Sequence, residues 1–321
     1  MRKSIVQLPK SALELNRKQP ILLLGSCFSQ HISHKCKEHG LQEVHNPLGT
    51  IFNPHTIGKF LTSCLDSCTL KDSIFQKEDM FLSWEASNSI YAFSEKELAT
   101  ILKEKQTFFS KKIEEAQVII ITFGSAWSYM HKKQQFIVAN CHKIPSTDFE
   151  KVLLSIPEIV SQWSSVLNQL FQQYPNVKLM FTVSPVRHWK DGAIENARSK
   201  AILIEAVHQL VETHQKASYF PSYEIVVDEL RDYGYFKMDG LHPNEIAVNH
   251  VWKIFLERYF SPEDQKVLSA FNTLRRQAEH KSVHPNSKAD MLYRQQLAEK
   301  INTFRENYPE MNYSALHSEI D

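Results

Sequence analysis

The sequence predicts an α/β fold, a three-layer α/β/α sandwich on a mainly parallel sheet with a C-terminal helical appendage. Four short runs are apolar on both faces, as strands buried between helical layers are, and the stretches between them repeat apolar residues at helical spacing. Glycine is scarce, eight residues where average usage of about 7% gives roughly twenty-two, so each one marks a sharp turn or a close approach of backbone.

The first run, Ile21-Leu22-Leu23-Leu24, breaks at Gly25-Ser26-Cys27, and Phe28 to Glu38 can begin a helix. Val118-Ile119-Ile120-Ile121-Thr122 is the second strand, closing near Gly124. After Pro157, residues Ile159, Val160, Trp163, Val166, Leu167, Leu170 and Phe171 recur on one helix face. Leu179-Met180-Phe181-Thr182-Val183 follows as the third strand, and Ala197, Ala201, Ile204, Val207, His208 and Val211 as the next helix stripe. Glu224-Ile225-Val226-Val227 reads as a fourth strand. Ligands of such sheets gather at the carboxyl ends of the strands, where the motif glycines fall.

From Ser261 the character changes. Ser261-Pro262-Glu263-Asp264 supplies an N-cap, a first-turn proline and acidic residues suited to the helix dipole. Val267, Leu268, Phe271 and Leu274 give that helix its apolar stripe, and Leu292, Leu297, Ile301 and Phe304 mark another. The chain thus divides into residues 1–260, which carry the chemistry, and 261–321, a helical extension without chemistry of its own whose tail after Pro309 is loosely held.

With 42% hydrophobic residues the chain can bury a full core. Its 37 basic and 36 acidic residues make no basic field, which argues against nucleic acid as a partner. No stretch approaches a membrane span, and the N-terminus, Met1 to Pro9, lacks the apolar core of a secretory signal. Five cysteines, an odd number, read as reduced thiols, so a cytoplasmic location is expected.

Cys27 stands where a helix N-terminus presents unpaired N–H groups to a thiolate or an oxyanion, although the same turn is also what a capping Ser26 and a small buried cysteine would give. Asp239-Gly240-Leu241-His242 changes the weighing. One turn of separation lets the carboxylate accept from the Nδ1–H of His242 and leaves Nε2 facing a nucleophile. Arg187 and His188 follow the third strand, where they would bind a substrate carboxylate or hydroxyl or simply pair in a loop. Trp127, Trp189 and Tyr219 would line a cleft or pack its rim. Cys27, His31, His34, Cys36 and His39 cluster along one segment but cannot converge from one straight helix, so no metal is expected. Cys64 and Cys68 read as small buried apolar residues.

Ile21-Leu22-Leu23-Leu24-Gly25-Ser26-Cys27-Phe28-Ser29 closely resembles the name-giving motif of the GSCFA family, within the SGNH (GDSL-like) hydrolase superfamily. Asn46 to Pro54, Thr122 to Trp127, Asn140 to Lys143, Thr182 to His188, Tyr219 to Glu224 and Asp239 to Pro243 match in order, so the resemblance covers about residues 21 to 258. It implies a flavodoxin-like sheet and an acyl-ester cleavage site without a cofactor. Laid on Gly-Asp-Ser, the first block makes Cys27 the nucleophile; a one-residue offset makes it Ser26. The second block's glycine matches Gly49, whose N–H would line an oxyanion hole with that of Cys27. Ala126 stands where the third block has its Asn donor, a loss that typically costs a hundredfold or more in rate. Ser125, Asn140 and His142 are the substitutes at hand.

The expected protein is therefore a hydrolase of acyl esters or thioesters acting through an acyl-enzyme at Cys27 or Ser26, with His242 as base and Asp239 orienting it. Its substrate is a small-molecule or carbohydrate-linked acyl group. The alternatives are a catalytically silent protein that binds acylated sugar or peptidoglycan fragments, and an acyltransferase to carbohydrate hydroxyls. Oligomeric state is not readable.

Overall fold

A computed structural model describes residues 4–8, 13–66 and 70–319. Cys68, together with Met1 to Lys3 and Pro9 of the N-terminal stretch read above, lies outside them. In chain order the strands are β1 (Ile21–Gly25), β2 (Glu43–His45), β3 (Ile74–Lys77), β4 (Met80–Ser83), β5 (Val118–Phe123), β6 (Trp127–His131), β7 (Phe136–Val138), β8 (Phe149–Leu153), β9 (Lys178–Val183) and β10 (Ala217–Tyr219). The helices are α1 (Cys27–Glu38), α2 (Pro54–Asp66), α3 (Glu95–Glu115), α4 (Ile156–Gln173), α5 (Gly192–Thr213), α6 (Ser222–Glu224), α7 (Glu245–Tyr259), α8 (Pro262–Ala278) and α9 (Lys288–Asn307).

The central sheet runs β10-β9-β5-β1-β2 with every pairing parallel, and its middle strands are buried along nearly their whole length. Side chains that alternate along those strands feed two cores. Leu22, Leu24, Ile119, Ile121 and Phe181 face α2 to α5, while Ile21, Leu23, Val118, Ile120 and Met180 on the other face pack against α1, α7, α8 and α9. This is the three-layer sandwich expected. Two small antiparallel sheets, β3-β4 and β7-β6-β8, stand apart from it; their strands are mostly half-buried and carry no continuous apolar run to declare them.

Several sequence expectations are corrected. The apolar run at Glu224 to Val227 is not a strand: residues 222–229 coil as α6 and a π-helical turn, Ile225–Glu229, and the edge strand is β10 just before them. A run of that length fits a buried helix turn as well as a strand. In α5 the buried stripe is Asn196, Ser199, Lys200, Leu203, Ala206, Val207 and Leu210, one residue away from the face read from Ala197, Ala201 and His208, which are exposed. The tail after Pro309 is anchored: Met311, Tyr313 and Leu316 are buried with α1 and α8, and Asn312 N–H donates to Gly40 O at 2.7 Å.

The capping at Ser261 and Pro262 is as expected, with the Ser261 hydroxyl accepting from Asp264 N at 3.1 Å. Asp264 is also the ion-pair partner of Arg17, which binds Glu310 at 2.9 Å, so one guanidinium ties the start of the chain to α8 and to the tail. Leu292, by contrast, is exposed on α9. No helix among the described residues is long and apolar enough to cross a membrane.

Leu316 is fully buried against that shared core. Leu316→Ala should therefore cost about 2–5 kcal/mol in urea unfolding, whereas a loosely held tail would give no change in midpoint.

Candidate active site

Gly25 ends β1 at φ +133°, and a Cβ there would lie 2.8 Å from the carbonyl carbon of Thr122 and closer still to its oxygen. Only glycine fits. The Asn46 side-chain amide clamps this residue, accepting from Gly25 N–H at 2.8 Å and donating to Gly25 O at 2.9 Å. Ser26 N–H donates to Thr122 O at 3.1 Å. Beneath the turn, the single hydroxyl proton of Ser29 goes to Ser26 O at 2.7 Å, so His45 Nε2, 3.0 Å away, is the donor in their contact. Burial holds His45 neutral by pushing its pKa down to about 4, which suits that tautomer.

The turn sends its two candidate nucleophiles to different places. Ser26 is 2% exposed and its Oγ caps α1, accepting from Phe28 N at 3.3 Å. Cys27, the first residue of α1, is half-buried, with its own N–H and that of Phe28 directed at the sulfur. Burial pushes the Cys27 thiol up from its ordinary value, and Lys200, those two amides and Lys237 pull the other way without cancelling it. Cys27 is therefore a thiol at rest.

Lys200 escaped the sequence reading because a lysine on an amphipathic helix passes for its solvent face. It stands on the buried stripe of α5, 1% exposed, and its ammonium donates to Gly124 O and to Ser184 O, each at 2.7 Å. Burial lowers its pKa to about 7. The flanking polar residues Asn196 and Ser199 were the available signal: three polar groups at i, i+3 and i+4 bury together at the carboxyl ends of β5 and β9. Asn196 Oδ1 accepts from His188 N at 3.0 Å, and Ser199 Oγ from Ala126 N at 2.8 Å.

Asp239 and His242 lie on the loop before α7. Asp239 Oδ1 accepts from the N–H groups of Leu241 and His242 at 2.8 and 3.0 Å, and its Oδ2 meets His242 Nδ1 at 2.7 Å. Those bonds, the backbone pair first, hold the Asp239 carboxyl down at about 2, so it stays ionised and fixes the His242 ring with Nε2 outward. The loop is tied to the end of β9 by Arg187 N–H donating to Leu241 O at 3.4 Å, and to itself by Lys237 N–H donating to His242 O at 2.7 Å. Lys237 is within electrostatic reach of Cys27 and His31 on α1, and His242 of His31 and His188.

Other expected residues sit elsewhere. Gly49 N–H donates to Asn46 O at 2.8 Å, closing a turn, and is not offered to an oxyanion. Gly124 and Ser125 N–H both donate to Phe52 O, at 2.8 and 3.2 Å. The Ser125 hydroxyl accepts from Trp127 N at 3.0 Å and lies 3.2 Å from Ser199 Oγ, buried below the site. Ala126 is fully buried, so its position does not face the cleft. His142 packs with Phe75 and Trp84 near the small sheets and contacts Ser83 O at 2.8 Å, while Asn140 Oδ1 accepts from His142 N at 2.7 Å. Tyr219 is a core residue whose hydroxyl donates to Glu224, Trp127 donates to Glu195 O at 3.2 Å, and Trp189 is exposed. His188, whose ring stacks at an angle on Phe52 with centroids 5.3 Å apart, is held neutral by burial with its pKa lowered to about 4. His34, Cys36 and His39 point apart, and no group of three or more His, Cys, Asp or Glu among the described residues is placed to hold a metal.

A family model described as GSCFA family matches residues 20–255. No curated protein matches the chain. Among solved structures, an acetyl xylan esterase from the rumen bacterium Butyrivibrio proteoclasticus is similar at TM-score 0.37 and 11% identity, over 78% of this chain and 64% of that one. The chain thus spans slightly under two-thirds of that protein's length. A carbohydrate esterase family 3 protein from Talaromyces cellulolyticus is similar at TM-score 0.35 and 8% identity, over 78% of this chain and 99% of that one.

The charge of Lys200 is fully present only below its pKa of about 7, so its pull on the thiol fades as pH rises through neutrality. Peptide-resolved iodoacetamide labelling should find Cys27 alkylated roughly threefold to tenfold more slowly in Lys200→Met at pH 6. The difference should shrink above pH 8. Equal rates at pH 6 would sever the link between the two groups.

Proposed function

The chain belongs to the GSCFA family, and from that premise we propose that it is a hydrolase of acyl esters or thioesters that works through an acyl-enzyme at Cys27. The observation that carries the reading is the bond between His242 Nδ1 and Asp239 at 2.7 Å, on a loop whose Lys237 is within electrostatic reach of Cys27 and whose His242 is within reach of His31, one turn along the same helix. Such a dyad gives Nε2 the free lone pair a general base needs. Ser26 is the weaker candidate, because its hydroxyl is buried and committed to capping α1.

Cys27 begins as a thiol, so its proton passes to His242 Nε2 while the sulfur attacks the acyl carbonyl carbon. The new S–C bond places negative charge on the carbonyl oxygen, and the Cys27 N–H at the start of α1 faces that charge. His188, a neutral imidazole, serves as the second donor in place of the missing Asn. Collapse of the intermediate expels the alkoxide or thiolate, which takes the proton back from His242. Water then attacks the thioester, giving its proton to His242, and the acid leaves as the Cys27 sulfur is reprotonated. Asp239 remains a carboxylate throughout and stabilises the imidazolium. Where a sugar hydroxyl replaces water, the same steps transfer the acyl group.

One observation favours the silent binding protein instead: the N–H groups of Gly49, Gly124 and Ser125 are all spent on backbone carbonyls. Turnover separates the two readings. With aryl esters and thioesters of graded chain length, His242→Ala and Cys27→Ala should each lower kcat/KM by at least about a thousandfold, and Asp239→Asn by a comparable factor. A melting-temperature shift with no turnover by the unaltered protein would establish the binder.

Because the carboxyl of Asp239 titrates near 2 and His188 near 4, neither changes charge between pH 5 and 8. The acid limb of log kcat/KM should fall with a slope of one, as a single essential base requires; a slope of two would require a second.

A further inference from the structure

Beside the Cys27 turn lies a cavity of about 340 Å³ between the loop Phe52-Asn53, the small sheet β7-β6-β8 and the segment that carries Lys190. Phe52 forms the wall it shares with the candidate active site. A Cβ on Gly124 would stand 2.7 Å from that of Phe52 and 3.1 Å from that of Ser26, so this wall adjoins the nucleophile turn, and the Phe52 ring meets His188.

The lining has a definite chemistry. Phe52, Tyr129 and Phe149 present aromatic surface. Ser128 is 1% exposed, lies in the wall, and its Oγ is a buried polar atom with no hydrogen-bond partner. Buried hydroxyls are nearly always paired, and an unpaired one on a residue of the cavity wall is what a ligand hydroxyl would complete. Asn140 adds the amino group of its amide, its oxygen being bonded by His142 N, while the Asn53 amide is engaged by Thr56 and Val138 O. The charged residues of the lining are Lys143 and Lys190, with no carboxylate among them, and Lys190 is within electrostatic reach of the Cys141 thiol in the same wall.

We infer that this cavity is a saccharide subsite that takes an acidic sugar, with ring carbons against the aromatic wall, a hydroxyl on Ser128 and the carboxylate between Lys143 and Lys190. This deepens the hydrolase reading, since the subsite would hold the sugar of an acylated acidic saccharide beside Cys27, but occupancy of the subsite is measurable without turnover.

Calorimetric titration of the full chain with digalacturonate and with neutral cellobiose tests it. Digalacturonate should bind the more tightly, and its advantage should shrink with added salt. Ser128→Val should weaken digalacturonate binding about fivefold or more, and the paired surface changes Lys143→Ala and Lys190→Ala should abolish the preference for the acidic sugar while leaving the melting temperature unchanged. His242→Ala should leave all of these affinities intact, so that a failure of catalysis and a failure of the subsite are told apart. Absence of digalacturonate binding, equal affinity for the two sugars, or a preference that survives the lysine changes would each overturn the proposal.

Discussion

The approach of Gly25 to the Thr122 carbonyl, too close for any Cβ, lets β1 end in a turn that puts Cys27 at the head of α1 rather than in the sheet. A side chain at position 25 would push β1 from β5 and break both bonds from the Asn46 amide. Those bonds hold the peptide as a third strand would, at a point where β2 has already ended. Ser29, His45 and the Ser26 carbonyl then brace the turn from below. The position of the thiol is therefore a property of the sheet and its edge together, which is how rigid elements hold reacting groups.

The electrostatics of the site are a balance between burial and a few fixed partners. Burial alone would hold Cys27 as a thiol and Lys200 as an amine, and each charge, when present, favours the other. Lys200 also satisfies the last carbonyls of the β5 and β9 ends, at Gly124 and Ser184, so the same group joins two strand termini and sets the potential between them. The Asp239–His242 pair is more open to solvent, 43% and 37% exposed, and owes its order to three hydrogen bonds within four residues. The lysine within reach of Cys27 is thus buried, while the dyad on the loop before α7 stands in a more solvated environment.

The sequence made the frame of this molecule readable where a single physical rule governed a segment. Ile21 to Leu24, Val118 to Thr122 and Leu179 to Val183 are apolar on both faces because both faces are covered, and the Ser261-Pro262 start obeys local capping chemistry. Reading failed where tertiary context decides. Ile225 and Val226 are apolar for packing in the core that holds Phe220 and Trp252, which a π-helical turn serves as well as a strand. The true face of α5 was hidden by Asn196, Ser199 and Lys200, whose burial is supported only by carbonyls and amides distant in sequence. Of the candidate site, Asp239 and His242 were legible from spacing alone, and Cys27 from its place after a strand; the engagement of Gly49 with Asn46 depends on backbone geometry that no residue type reveals.

Helix α1 serves two masters. Its first residue is Cys27, and its 12 residues, about 18 Å of helix, end beside Gly40, where a Cβ would enter the Phe271 ring of α8 and where Asn312 of the tail is bonded. Phe28, Ile32 and Cys36 along that span bury into the same core as Leu268, Phe271 and Leu316. Shortening the chain at its far end would thus loosen the very rod that carries the sulfur, and the segment beyond Phe260 acts as ballast for a cysteine near the beginning.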